Sequence, residues 1–328
     1  MINQKQLDKA LLELNHVVNE YKQKYSVKPE RDWRTYEQRL AMRMKKAAEE
    51  IEPIIEEAYS AIEVTKTEER GRPPKIAVTK KVLILLLKDI FQLSNRKMSN
   101  LLMFFTLLTG IDLSYKSIER AYSDELVRMT VHNMFVIMTR AKGIENADVS
   151  GDGTGYGLTV TKHYRSEREK ELSGKECDRK AFVYVFALMD LDTRMYIGYG
   201  TSMRSEKEAF RAAMAMANAM GIGIRSARLD KYYSYRSITK EFGNDTKLYV
   251  IPKTNATIKG SPAWKRVIKS FVTDVFNHMK EYYKRNNSES GFNVDKGLCG
   301  RKIFQRRDDR IGTALMCKGI WHNLMLIG

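Results

Sequence analysis

Apolar residues recur every three or four positions through much of the first half of the chain, and this spacing predicts helices. In residues 1–66 the spacing is seen at positions such as Leu11, Leu14 and Val18, which are surrounded by many Glu, Lys and Ala residues. We therefore expect this segment to form a helical arm with a strongly charged surface.

Three further helices are predicted in residues 79–146, where polar residues or glycine mark their ends. Either Ser94 or Asn95 can cap the second helix, Gly110 stops it, and Ser114 opens the third. Short helices joined by tight turns, the last opening with hydroxyl, aromatic and basic residues, fit a helix-turn-helix DNA reader. A small helical bundle without a DNA role is the alternative, and the helix pattern alone favours it.

A basic segment containing two prolines and a glycine, residues 67–78, separates the arm from these helices. Proline and glycine forbid a helix here and leave the chain extended. Within the segment, Arg70-Gly71-Arg72-Pro73 resembles the core of an AT-hook, which lies in the narrow minor groove of A/T-rich DNA. Arg70 and Arg72 are therefore candidate DNA contacts, although a plain basic linker explains the segment at least as well.

The pattern changes at about residue 147, where β-branched, aromatic and glycine residues replace the helical spacing. The predicted strands are residues 148–160, 181–189, 194–199, 225–229 and 248–251, and the predicted helices are residues 206–220, 235–242 and 264–285. Three antiparallel strands followed by βαβ units are what a ribonuclease-H-like sheet requires. We predict an α+β or α/β domain over residues 147–328, with a mixed sheet flanked by helices, preceded by the all-helical N-terminal region.

The chain is strongly basic, since 57 Lys and Arg residues against 40 Asp and Glu residues leave a formal net charge of +17. Such an excess attracts polyanions, so nucleic acid or an anionic membrane surface is the expected partner, and a merely solvated basic surface is the alternative. No uncharged apolar stretch reaches about 18 residues, and the N-terminus lacks the pattern of a secretory signal. We therefore predict no membrane span and a cytoplasmic, nucleoid-associated protein.

Three carboxylates fall where the predicted fold would bring them together. Asp152 lies on the first strand, Asp230 at the end of the fourth, and Glu289 near the end of the long helix that follows. The cysteines and histidines show no metal-ligand spacing, so any metal must be held by oxygen ligands. The three carboxylates suit two Mg²⁺ or Mn²⁺ ions, which could activate a water or 3′-hydroxyl and stabilise the leaving oxygen of a phosphodiester.

Each of these carboxylates also has a structural explanation. Asp152 lies among glycines, as turn residues often do, Asp230 could cap a helix, and Glu289 could be a solvated charge. The possible substitutes are Asp148, Asp190, Asp192, Asp274, Glu281 and Asp295. Asp274 and Glu281 are the strongest of them, because both are predicted to share a helix with Glu289, and Glu281 lies about two turns away on the same face.

The residues around Glu289 resemble a signature of the insertion-sequence transposases of the Asp-Asp-Glu class. Tyr282-x2-Arg285-x3-Glu289-x6-Lys296 has the spacing of the Tyr-Arg-Glu-Lys signature in one large branch of that class, and it selects Glu289 over Glu281. The resemblance implies that Glu289 is the third metal ligand. It also implies that Tyr282, Arg285 and Lys296 contact DNA phosphates near the cut, for which Arg and Lys are chemically suited.

The likeness covers about residues 83–326, and residues 150–155 and 228–234 are similar to the first and second Asp motifs of the family. It implies cleavage and strand transfer on double-stranded DNA, at the terminal repeats of an element and in target DNA, by a homodimer. Some members carry a large β-rich insertion between the second Asp and the Glu, for which this chain has no room. Gly291 leaves open whether the helix of Glu289 continues unbroken.

Basic residues outside the signature are further candidate DNA contacts. They are Lys231, Arg96, Lys116, Arg301, Lys302, Arg306 and Arg307. Residues 301–310 form a basic cluster with Phe304 interleaved and suit the wall of a DNA channel, with a solvated basic helix as the alternative. Two other functions stay open, namely a nuclease or resolvase of the same fold without strand transfer, and a catalytically inactive DNA-binding protein.

Overall fold

The fold is seen in a computed structural model that describes residues 3–25, 30, 32–63, 76–109, 111, 113–159 and 182–327. Arg70 and Arg72, the arginines of the AT-hook-like segment, lie outside the described residues. Within the described ranges, no helix combines the length and the apolar character that a bilayer crossing requires.

The N-terminal region is helical, as its apolar spacing predicts. Its helices are α1 (Gln4–Tyr25), α2 (Trp33–Ser60), α3 (Val78–Ile90), α4 (Asn95–Thr109), α5 (Tyr115–Ala121) and α6 (Glu125–Ala141). The predicted caps are in place: the Ser94 hydroxyl accepts a hydrogen bond from the Lys97 amide, and the Ser114 hydroxyl accepts one from the Ser117 amide, each at 3.2 Å. Side-chain caps satisfy amide groups that the first turn of a helix leaves unpaired, which fixes where α4 and α5 begin.

The second half of the described chain is built on one mixed sheet. Its strands are β1 (Asn146–Leu158), β2 (Phe182–Asp190), β3 (Tyr196–Ser202), β4 (Gly223–Arg228), β5 (Lys247–Tyr249) and β6 (Lys302–Ile303). The order is β3-β2-β1-β4-β5, with β1, β2 and β3 antiparallel and β1, β4 and β5 parallel. This arrangement confirms the predicted ribonuclease-H-like fold. The short β6, which pairs with the end of β1, was not predicted.

The helices of this half are α7 (Glu206–Ala219), α8 (Pro262–Thr273), α9 (Val275–Tyr282), α10 (Asn286–Leu298) and α11 (Asp308–Leu324). The prediction of one long helix over residues 264–285 is wrong. Asp274 has extended backbone angles and caps α9 by accepting from the Asn277 amide, and a 3-10 turn at Tyr283–Arg285 separates α9 from α10. The helix predicted over residues 235–242 is likewise a 3-10 turn, Arg236–Lys240.

Two apolar clusters cover the two faces of the sheet, and side chains of β2 alternate between them. Helices α3, α6 and α11 contribute to one cluster, so the N-terminal helical region and the sheet share a core. The Trp321 indole donates to the Leu86 carbonyl at 2.9 Å within it. Helix α7 packs on the other face so closely that a Cβ on Gly200 would lie 2.0 Å from the Ala209 carbonyl oxygen.

The two helices of the N-terminal arm pack on opposite faces of this sheet. Helix α2 joins the cluster that contains α3 and α6, whereas α1 buries Leu7 and Ala10 in the other cluster. Tyr21 of α1 stacks on Tyr283 with 4.4 Å between ring centroids. The Gln4 amide donates to the Ala256 carbonyl at 3.1 Å. The predicted helical character of the arm is confirmed, and some of its apolar positions are buried, although Leu12 and Met42 stay exposed.

Candidate active site

The polar face of β1 turns toward α10. Side chains alternate along a strand, so Ser150, Asp152 and Thr154 share this face. The hydroxyl of Ser150 is hydrogen-bonded to that of Ser288 on α10, with 2.6 Å between oxygens that are both buried. Two residues beyond Asp152 on β1, the Thr154 hydroxyl accepts a hydrogen bond from Lys296 of α10. These two contacts, on either side of Asp152, fix α10 against the strand.

Asp152 and Asp230 meet because of the register between β1 and β4. The last pair of that ladder is Ser150 with Arg228, and each aspartate lies two residues beyond it. The carboxyl end of a parallel strand is where open α/β sheets bind ligands. One oxygen of Asp230 also accepts from the Tyr232 amide at 2.7 Å. The capping explanation of Asp230 is therefore confirmed, and its role in the site stays a prediction.

A single guanidinium lies between the three predicted carboxylates. Arg285 Nη1 is 3.3 Å from Asp152 Oδ2 and 3.8 Å from Asp230 Oδ2. Arg285 Nη2 is 2.7 Å from Glu289 Oε1, one turn later in the chain. The structure thus brings together the three carboxylates that were predicted from widely separated positions. It also places the arginine of the signature among them.

The charges of this site are unbalanced, since three carboxylates surround one cation. Burial, together with the charges of Glu289 and Asp230, raises the pKa of Asp152 to about 6 against the opposing effects of Arg285 and the Gly153 amide. Burial would lower the pKa of Arg285, but the neighbouring carboxylates, led by Asp152, raise it above its usual value. The excess negative charge and the hard oxygen donors fit a divalent cation such as Mg²⁺ or Mn²⁺.

The distances between the three carboxylates are set by the Arg285 guanidinium that lies between them. Among the described residues, no three His, Cys, Asp or Glu side chains converge closely enough to hold a metal ion as they stand. The chemistry of the donor set therefore fits a divalent cation, while the positions of the oxygen atoms fit Arg285.

The strongest rival carboxylate is neutralised by its own cations. Glu281 accepts from Arg228 and from Lys284, the latter at 2.5 Å, and it lies on α9 while Glu289 lies on α10. The prediction that Glu281 and Glu289 share one helix is thus wrong. Burial would raise the pKa of Glu281, but the hydrogen bonds from Lys284 and Arg228 lower it.

The other rivals also have partners. Asp148 accepts from Ser226 and pairs with Arg225, Asp190 accepts from Thr193, Asp192 lies 3.9 Å from Arg225, Asp274 caps α9, and Asp295 pairs with His322. Each of these contacts is a cap, an ion pair or a hydrogen bond that gives the carboxylate a local role. Asp148 shares Arg225 with Asp192 and Arg228 with Glu281. Asp152, Asp230 and Glu289 differ in that all three carboxylates pair with the single cation Arg285.

The remaining signature residues lie close to this site. Tyr282 is buried, and its ring centre is 5.8 Å from the Arg285 guanidinium, so it supports Arg285 from behind. Burial lowers the pKa of Lys296, whose ammonium lies 5.2 Å from the Tyr156 ring. Helix α10 continues unbroken through Gly291 to Leu298, which answers the question that Gly291 raised. A Cβ there would lie 2.5 Å from Met189 Cε, so the glycine serves close packing.

Several predicted DNA contacts line a groove of about 470 Å³ between the helical region and the sheet domain. Arg96, Lys116 and Arg306 contribute cationic side chains, and the Arg96 guanidinium lies 5.2 Å from the Tyr115 ring. Lys231, Arg301 and Lys302 are exposed, and Arg307 is exposed but paired with Asp309. Arg310 belongs to the basic cluster of residues 301–310, but it is buried and paired with Glu119 at 2.7 Å. The prediction that it lines a DNA channel is therefore wrong.

Two sets of supporting residues were not recognised from the sequence. The Ser150–Ser288 pair is one, and its only signal is that Ser150 shares a strand face with Asp152. The other set is Asp295, Tyr196 and His322, which holds α10 to the sheet and to α11. Asp295 accepts from the Tyr196 hydroxyl at 2.7 Å and lies 2.7 Å from His322 Nδ1. Burial would lower the pKa of His322, but Asp295 and the Arg194 carbonyl raise it.

The mixed sheet, with one aspartate on its central strand, another beyond β4 and a glutamate on a later helix, defines a ribonuclease-H-like protein. The chain is 44% identical over 308 residues to a protein of Archaeoglobus fulgidus described as a probable transposase for the insertion sequence element ISA1214. This similarity spans 94% of the present chain and 90% of the relative. The chain therefore belongs to the insertion-sequence transposases. No family model and no solved structure matches it.

The extent of this similarity bears on the N-terminal arm. The motifs identified in the sequence leave residues 1–66 unexplained, whereas the similarity covers so much of the chain that it includes most of this segment. The arm is therefore a shared part of the two proteins.

Proposed function

We propose that this transposase cleaves DNA at the ends of an insertion sequence and transfers the new 3′ ends to a target, using two Mg²⁺ or Mn²⁺ ions held by Asp152, Asp230 and Glu289. The observation that carries the proposal is the convergence of these three carboxylates on one cationic group. The name of the relative supports the reaction class, because a transposase has to break and rejoin phosphodiester bonds.

The chemistry that bound divalent cations supply is activation of a water or 3′-hydroxyl and stabilisation of the leaving oxygen. The contribution of the protein is to hold the ligands in place. Asp152 is held by the β1 ladder, Asp230 by its hydrogen bond from the Tyr232 amide, and Glu289 by the contact between Ser288 and Ser150. Asp152 and Glu289 lie on regular elements, which hold side chains more precisely than loops do, whereas Asp230 lies just beyond β4.

The partner in this proposal is double-stranded DNA, and the groove lined by Arg96, Lys116 and Arg306 supports it. Thr159 lines the same groove and follows directly after β1, which also carries Asp152. Seven residues of extended chain span about 23 Å, at about 3.3 Å per residue. A duplex lying along β1 could therefore contact the groove and the carboxylates at once, with phosphates near the cut facing Arg285 and Lys296. Because both ends of an element must be held together for strand transfer, we propose a homodimer on DNA.

The decisive experiment compares wild-type protein with Asp152→Asn on DNA that carries the flanking repeats, with and without Mn²⁺. We expect Mn²⁺-dependent nicking and strand transfer by wild type and neither reaction by the variant. Glu281→Gln is the matched control, because it removes a nearby carboxylate charge that Arg228 and Lys284 already balance.

Three outcomes would contradict the proposal in different ways. Equal nicking by wild type and Asp152→Asn would contradict the assignment of Asp152 to the active site. Metal-dependent nicking without transfer would indicate a nuclease or resolvase. Binding to the repeats without any cleavage would indicate a catalytically inactive DNA-binding protein.

A further inference from the structure

Arg285 occupies the position toward which the candidate metal ligands point. Asp152 Oδ2, Asp230 Oδ2 and Glu289 Oε1 each lie within 4 Å of its terminal nitrogens. In the described part of the chain, no other cationic side chain forms an ion pair with these three carboxylates. A divalent cation that used the same oxygen atoms would meet the positive charge of Arg285 at short range, where repulsion is strong.

The contacts of Arg285 allow it to leave. Only the contact with Glu289, at 2.7 Å, is as short as a charge-assisted hydrogen bond, while the distances to Asp152 and Asp230 are 3.3 and 3.8 Å. The side chain of Glu289 is 45% exposed, so water can solvate it once the pair opens. Arg285 is the last residue of the 3-10 turn before α10, and 13% of its side chain is exposed, so it already has contact with solvent.

We propose that Arg285 is an internal counter-ion that competes with the divalent cations for Asp152, Asp230 and Glu289, and that it must move out for them to bind. Moving out makes its guanidinium available to a DNA phosphate. Cation binding and phosphate binding then favour the same Arg285 position, so each raises the affinity for the other. This inference rests on the proposed metal site and adds the order of events at it.

The test measures Mn²⁺ binding to the full chain without DNA, from the electron paramagnetic resonance signal of free Mn²⁺. We expect Arg285→Ala to bind Mn²⁺ about ten-fold more tightly than wild type or better, a typical size for a coupling between two ligands. Lys284→Ala is the matched control, since it removes the adjacent positive charge from a side chain that pairs with Glu281 instead. Its Mn²⁺ affinity should stay within about two-fold of wild type.

A third variant separates direct competition from a general charge effect. Arg285→Lys keeps the charge, but a compact ammonium cannot reach three carboxylates in the way a planar guanidinium does. Its Mn²⁺ affinity should therefore lie between those of wild type and Arg285→Ala. Two results would overturn the proposal in favour of a general charge effect. One is a Mn²⁺ affinity of Arg285→Lys equal to that of wild type, and the other is a gain in Mn²⁺ affinity in Lys284→Ala as large as that in Arg285→Ala.

Thermal unfolding covers the possibility that Arg285→Ala folds poorly without metal. In EDTA its midpoint should lie below that of Lys284→Ala, because three carboxylates lose their cation, and Mn²⁺ should raise its midpoint more than that of wild type. The proposal would be overturned if Mn²⁺ raised the unfolding midpoint of Arg285→Ala by no more than it raises that of wild type.

A second measurement uses wild-type protein and a short DNA duplex of arbitrary sequence. The duplex should increase the Mn²⁺ affinity of wild type and leave that of Arg285→Ala unchanged. An equal increase in both proteins contradicts the role of Arg285. Failure of the proposed metal site gives a different result, namely Mn²⁺ affinity that is the same in wild type and in Asp152→Asn.

Discussion

Two groups of carboxylates and arginines lie close together in this protein, and they differ in charge balance. In the Arg285 cluster, Asp152, Asp230 and Glu289 surround one guanidinium. The Arg228 cluster consists of Asp148, Asp192 and Glu281 with Arg225, Arg228 and Lys284, so three cations balance three carboxylates. Both are built from the same kinds of residue on neighbouring elements.

The pKa values of the two clusters move in opposite directions. Burial raises the pKa of Asp152 to about 6 in the Arg285 cluster. In the Arg228 cluster burial would raise the pKa of Asp148 as well, but the hydrogen bond from Ser226 and the Arg225 charge lower it. A carboxylate whose neighbours leave it short of positive charge is prepared for an added cation, whereas a balanced one contributes to stability. The comparison shows that charge balance, more than residue type, distinguishes the candidate site.

The largest effect should separate the two clusters by activity. Asp230→Asn and Glu289→Gln should lower Mn²⁺-dependent nicking by on the order of 10⁴-fold, as for single members of other catalytic groups. Glu281→Gln should leave nicking close to wild type, although it loses stability. A gel assay of nicked DNA checks this. Comparable losses for Glu281 and Glu289 would remove the distinction between the clusters.

The next effect should appear when the balanced cluster loses its central cation. Arg228 is buried and pairs with Glu281, so Arg228→Ala leaves a half-buried carboxylate poorly compensated and should lower the free energy of unfolding by roughly 3–5 kcal/mol. Urea unfolding with and without Mn²⁺ measures it. Because the Arg228 cluster has no proposed cation site, added Mn²⁺ should stabilise wild type and Arg228→Ala by the same amount and leave the difference between them unchanged.

The pH dependence of unfolding should also differ between the clusters. The pKa of Asp152 is higher in the folded protein than in the unfolded chain, so its contribution to stability is present at low pH and is lost as the pH rises from about 4 to about 6. Asp152→Asn should remove this loss, which we expect to be about 3 kcal/mol in EDTA. Asp148→Asn should instead remove stability that is present above the ordinary aspartate range and lost on acidification. Unfolding midpoints recorded against pH would contradict this if the two variants changed the profile in the same way.

The smallest effect concerns the hydrogen bond that fixes α10 beside the Arg285 cluster. Ser150→Ala or Ser288→Ala leaves one buried hydroxyl unpaired and should cost about 1–3 kcal/mol, whereas the double variant should cost less than the sum. A double-mutant cycle by urea unfolding measures the coupling. Additive losses would mean that the two hydroxyls do not hold the helix to the strand.

Features that depend on residues close together in the chain were predicted more accurately than the other features. Ser94 and Ser114 cap helices through amides three residues away, and the alternation in β1 is a property of neighbouring residues, so both could be read from the chain. The break at Asp274 was missed because the apolar spacing continues across it while its side chain binds the Asn277 amide. Strand β6 was missed because two residues are too few for a pattern.

The candidate site was predicted in part. The order of strands and the spaced signature selected Asp152, Asp230 and Glu289 out of a larger set of acidic residues, and their mutual approach follows from the register of β1 with β4 and from the packing of α10. The burial of Tyr282 and Arg310 could not be predicted, because it depends on neighbours that are distant in the chain, such as Glu119, which pairs with Arg310.

By itself, the sequence determined the helical N-terminal region, the order of strands β1 to β5, and three acidic positions that the fold was expected to bring together. The tertiary structure alone decided how the charges pair. Ion pairing depends on distances through space, and Asp148 with Arg225 or Arg228 with Glu281 are far apart in the chain. For the same reason, only the three-dimensional arrangement placed Arg285 between the carboxylates and left them with too little positive charge.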